Sequence, residues 1–117
     1  MKPFSRAERV GGQIQRALSD LLYKTVGDPR LEGTTITGVS MTRDLRIAKV
    51  YFTTPGGKEK SRETEEGFNS AAGYVKRNLA RQLGLRYMPA LQFFYDESFD
   101  YGSNIERLIQ TAKKQHE

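Results

Sequence analysis

The sequence has no cysteine and no tryptophan, and only one histidine among its 117 residues. Without cysteine it can form neither a disulfide framework nor a thiolate metal site. The histidine, His116, stands one residue from the end of the sequence, where it makes a poor general base. No apolar run approaches the roughly 18 residues that suggest a membrane span. The opening MKPFSRAERV has no apolar signal core. Also missing are a Gly-x-x-Gly loop, a Walker loop, a metal-spaced His/Asp cluster and a nucleophile beside a base. Asp96 and Glu97 are neighbours that would point apart on a strand, unlike a working carboxylate pair. These absences predict a soluble cytoplasmic protein that is not an enzyme and takes no metal or cofactor. The longest Gly/Pro-rich run, TTPGGKEK, is loop-sized. One domain over residues 1–117 is therefore expected, with ends 1–4 and 113–117 frayed.

What is present is positive charge. Nineteen Lys and Arg against fourteen Asp and Glu give a net +5. That balance favours anionic partners, although modest net charge is also a common route to solubility. A hydrophobic fraction of 37%, with six Phe and six Tyr, supplies one core.

Periodicity divides the chain into elements. Ser5 and Glu8 fit a capping box, and Val10, Ile14, Leu18, Leu21 and Leu22 follow at helical spacing. Gly11 and Gly12 weaken this helix by about 1 kcal/mol each relative to Ala. They predict fraying of its first turns unless the backbone closely approaches something there. Gly27 and Pro29 end it. TTITGVSMT and LRIAKVYFT, separated by the turn-like RD, read as a hairpin with Ala48, Val50 and Phe52 on its buried face. A second helix carries Phe68, Ala72, Val75, Leu79 and Leu83 in one stripe, and Gly84 closes it. ALQFFYD is a third strand with Leu91, Phe93 and Tyr95 on one side. Ile105, Leu108, Ile109 and Ala112 mark a last helix, capped near Ser98. This order predicts an α+β fold, a three-stranded sheet with helices covering one face.

From Gly67 to Gln92 the only charged side chains are Lys76, Arg77, Arg81 and Arg86. Arg77 and Arg81 are four apart and share a helix face. Solvated helices usually mix their signs, as KEKSRETEE does just upstream. Unbalanced positive charge of this kind suits phosphate. RNA contact is expected at Lys76, Arg77 and Arg81, with Arg86 nearer the rim. Arg43, Arg46 and Lys49 on the hairpin, and Arg6, Arg9 and Arg16 on the first helix, are weaker signals, because charged edges also block strand pairing. Tyr51, Tyr74 and Tyr87 are read as core rather than as base-stacking groups. Gly73 leaves two readings open. It can pack closely against a strand, or it can kink the helix and expose amides to a phosphate.

RAERVGGQIQ, DPRL, SMTRDLRIAKVYFT, AAGYVKRNLA, LRYMPALQFFYD and GSNIERLI occur in an order that resembles the ribosome-binding factor A family, from about Arg6 to Ile109. No piece is specific alone; their order is. The resemblance implies a KH-like (type II) fold, running helix, strand, strand, kinked helix, strand, helix. In that family an Ala-x-Gly kink replaces the Gly-x-x-Gly loop, and Ala71, Ala72 and Gly73 match it. It also implies a monomer that binds the small (30S) ribosomal subunit through 16S rRNA during late maturation, with a part in cold adaptation. Ala71 and Gly73 thereby join the RNA-contacting set. Two rivals remain: a KH-like module for single-stranded RNA elsewhere, and an interaction domain that docks an acidic partner.

Overall fold

The structure, a computed structural model, describes residues 5–24 and 27–98. The expected last helix, and the ends expected to fray, lie outside these residues. In chain order the elements are α1 (Arg6–Lys24), β1 (Thr35–Met41), β2 (Ile47–Thr53), α2 (Ser61–Leu83) and β3 (Ala90–Tyr95). Short 3-10 turns at Pro29–Leu31 and Gly57–Lys60 link them. Among the described residues no helix is long and apolar enough to cross a membrane.

Helix α1 starts where the capping box predicts. The Ser5 hydroxyl accepts the Glu8 amide at 3.1 Å, and the Ser5 carbonyl accepts that of Arg9 at 3.0 Å. The helix then runs through Gly11 and Gly12 without fraying. Close approach explains this. A Cβ on Gly11 would meet the Val39 carbonyl oxygen at 3.0 Å and Met41 Cγ at 3.4 Å. Gly11 thus lets the helix backbone sit directly on β1, and packing offsets the helix-propensity cost.

The sheet order is β1-β2-β3, antiparallel between β1 and β2 and parallel between β2 and β3. Ala48, Val50 and Phe52 are fully buried, as their alternation predicts. The connection between β1 and β2 is longer than the expected two-residue turn. Leu45 and Arg46, read from sequence as strand, belong instead to a loop, Thr42 to Arg46. The Thr42 hydroxyl donates to Asp44 Oδ1 at 2.6 Å and accepts the Ile47 amide at 3.1 Å, and Asp44 accepts the Arg46 amide at 3.1 Å. These bonds close the loop and hold Leu45 at φ 61°, a left-handed conformation that costs a branched residue about 1–2 kcal/mol. The ladder also shifts register between Ile36 and Gly38. At that irregularity the Thr37 hydroxyl donates to Asp96 Oδ2 at 2.6 Å, tying β1 to the residue that follows β3.

Helix α2 buries Thr64, Gly67, Phe68, Val75 and Leu79, with Ala71 and Leu83 packed at the margin of the core. Ala71 therefore takes the stripe position that the spacing assigned to Ala72. Phe68 stacks on Phe93 with ring centroids 4.2 Å apart and meets Phe52 at 5.3 Å. With Ile14 and Leu18 of α1 they fill one core, each large side chain contributing about 1.5–3 kcal/mol. Gly67 is a second close approach, its absent Cβ only 3.0 Å from Leu31 Cδ2. Gly84, at φ 60°, ends the helix and donates its amide to the Ala80 carbonyl.

Candidate nucleic-acid interface

The second half of α2 carries the unbalanced charge. Arg77 and Arg81 are exposed on the side away from Val75 and Leu79, and Lys76 is half-buried on the flank beside that stripe. Among the described residues no carboxylate lies within ion-pair distance of these three cations; the ion pairs found are Arg30–Asp28, Arg46–Asp44, Lys58–Glu97 and Lys60–Glu63. The helix dipole accounts for part of the arrangement, since Glu63 lies in the first turn and Arg81 in the last. That effect fades within one turn of the end, so it explains neither Lys76 nor Arg77.

Gly73 fits neither sequence reading in full. Among the described residues a Cβ there would meet only Arg77 Nη1, at 3.4 Å, and no described strand packs against it. The helix is also continuous from Ser61 to Leu83, so no second helix N-terminus opens at Gly73. What Gly73 does provide is an open, side-chain-free surface over which the Arg77 guanidinium lies. Ala71 faces the core rather than this surface.

The hairpin and loop arginines form a separate group. Parallel pairing sets Ala90 opposite Ile47, and the Ala90 amide donates to the Arg46 carbonyl at 2.8 Å. This brings the loop from Gly84 to Pro89 beside the loop from Thr42 to Arg46. The first turns of α1, seated on Met41 through Gly11, form the third wall. A groove of about 610 Å³ results, and Arg6, Arg46 and Arg86 all line it. Arg86 also lies 5.5 Å over the ring of Tyr87. Asp44 is the acid in this lining, and its carboxyl is held below its ordinary value, first by the Thr42 hydroxyl and then by the Arg46 amide. Arg43 is exposed on the same loop but does not line the groove.

Two features escaped the sequence reading. Tyr87 and Tyr74 are 78% and 40% exposed, so neither is core. Arg6, treated as a weak signal, joins Arg46 and Arg86, and nothing in local spacing marks three positions so far apart in the chain. Asp96 and Glu97 are structural: Asp96 accepts from Thr37 and Ser98, and Glu97 pairs with Lys58 Nζ at 2.7 Å.

The three-stranded mixed sheet, with helices on one face, defines a KH-like α+β fold. The chain belongs to the ribosome-binding factor A family, whose sequence model matches residues 6–109. It is 54% identical over 110 residues to ribosome-binding factor A of Desulfatibacillum aliphaticivorans, covering 94% of this chain and 89% of that one. The crystal structure of the Thermus thermophilus ribosome-binding factor A superposes with a TM-score of 0.68 at 25% identity, over 76% of this chain and 93% of that one. A Thermus thermophilus homology model fitted into a cryo-EM map of a 30S complex has the same fold, with a TM-score of 0.64 at 24% identity, over 81% and 97%.

Proposed function

We propose that this chain binds the small ribosomal subunit through its 16S rRNA and acts in late maturation of that subunit, including processing of the rRNA. The proposed action is binding, by a cytoplasmic monomer, without bond chemistry. The curated relatives carry the ribosome in their name, and the 30S complex of a protein with this fold makes the small subunit the first to test. The observation that carries the reading is the set of cations Lys76, Arg77 and Arg81 along the second half of α2, which have no carboxylate partner among the described residues. Phosphates are the anions that a row of arginines on a rigid helix can meet at successive positions. Binding can favour one rRNA conformer only by the difference in affinity between two conformers. A preformed helix face, with little to reorganise on docking, suits that task.

The test is co-sedimentation of the full chain with purified small and large subunits, with and without nuclease. The expected result is pelleting with the small subunit alone, lost after nuclease treatment. Equal pelleting with both subunits, or pelleting that survives nuclease, would overturn the reading, the second outcome favouring an acidic protein partner.

A further inference from the structure

The groove between α1, the β1–β2 loop and the α2–β3 loop lies apart from the α2 cations, and its composition differs from theirs. We infer that it holds one unstacked nucleotide of a single-stranded RNA, base inward and phosphates on the rim; this rests on the RNA reading above. Its volume of about 610 Å³ falls within the ~300–1,000 Å³ of small-ligand sites, which suits one nucleotide. Among the described residues three arginines and one aspartate line the groove, and the Asp44 carboxylate is already engaged by Thr42 and Arg46. Guanidinium groups match phosphate oxygens as paired donors.

Between the arginines the lining is apolar, with Met41, Leu45 and Met88 among its side chains. A site for phosphate alone has no need of such a floor, whereas the face of a base does. Leu45 lines this groove from a left-handed backbone conformation held by the Thr42 and Asp44 hydrogen bonds. Tyr87, 78% exposed beneath the Arg86 guanidinium, offers a stacking ring with a cation already attached. Among the described strands only β1 contributes to the lining, through Met41, so none of them runs an edge along the groove for an added peptide strand.

The experiment measures binding of the full chain to a short fluorescein-labelled single-stranded RNA, and to the same RNA made abasic at its centre. The base-bearing RNA should bind about 5- to 150-fold more tightly, the range expected from stacking one base. Tyr87→Ala should close that gap with an unchanged denaturation midpoint, since the ring is exposed. Arg46→Gln with Arg86→Gln should weaken both RNAs. Equal affinity for the two RNAs, or a gap that survives Tyr87→Ala, would overturn the inference. So would displacement of the RNA by polyglutamate as effective as by unlabelled RNA, which would make the groove a site for acidic protein. Any of these failures with small-subunit pelleting intact removes the groove alone; loss of RNA binding together with subunit pelleting removes the RNA reading itself.

Discussion

Gly11, Gly67 and Gly73 all lie inside helices, yet only the first two are held there by space. At Gly11 the neighbour is a backbone carbonyl, that of Val39 at 3.0 Å, which cannot move without disturbing β1. At Gly67 it is the Leu31 side chain together with Arg30 Cβ. At Gly73 it is the far end of Arg77, which can swing away. Gly73→Ala should therefore raise stability by about 1 kcal/mol, the helix-propensity difference. Gly11→Ala should lower it by about 1–3 kcal/mol through overpacking. Denaturant midpoints of the two variants check this pair of opposite signs, and a rise for Gly11→Ala would mean that α1 is not seated on β1. Because α2 is unbroken, Gly73→Ala should also leave subunit binding unchanged. A loss of binding in a more stable variant would return Gly73 to the RNA-contacting set.

The elements were legible to the extent that one buried face wrote itself into local spacing. Ala48, Val50 and Phe52 alternate with Lys49 and Tyr51 because one side of β2 meets the core, and a period of two has no other explanation. Val50→Ala should cost roughly 1–3 kcal/mol, read as a lower denaturation midpoint, since that side chain is fully buried. The Arg77 and Arg81 face, with Lys76 on its flank, was legible for the same reason: a helix keeps neighbours in space close in sequence. The groove was not, because its walls meet only through the parallel joint of β2 and β3 and through Gly11 on β1. Such long-range pairing leaves no mark on spacing. The turn at Pro29–Leu31 adds a pH-dependent element. Arg30 bonds Asp28 at 2.7 Å and, with its amide, holds the Asp28 carboxyl below its ordinary value of 3.8. A depressed folded value gives stability that is present above 3.8 and lost as pH falls below it towards the folded value. Asp28→Asn should accordingly flatten the decline of the thermal midpoint below that pH, at some cost in stability at neutral pH. An equal acid decline in both proteins would show that Asp28 contributes nothing to it.

At the scale of the whole molecule, charge is segregated. The acidic groups Glu63, Glu65 and Glu66 crowd the start of α2, while the second half of the helix and the loop beyond it carry cations alone. A net +5 spread evenly would attract any polyanion weakly, whereas a localised row selects a surface. Three phosphate contacts by Lys76, Arg77 and Arg81 should give a log–log salt dependence of subunit affinity with a slope of roughly −2 to −3. Arg77→Glu with Arg81→Glu should abolish small-subunit co-sedimentation and flatten the slope of any binding that remains. The thermal midpoint should hardly move, because both side chains are exposed and unpaired surface charges contribute little to folding. The deciding comparison is Lys24→Glu with Arg62→Glu, which changes net charge by the same amount at exposed positions off this surface. Equal weakening by the two double reversals would reduce the effect to overall charge and dissolve the site. Loss confined to the Arg77 and Arg81 pair, with both proteins folded, would mean that the position of the cations, beyond their number, carries the recognition. The segregation of charge along α2 predicts that second result.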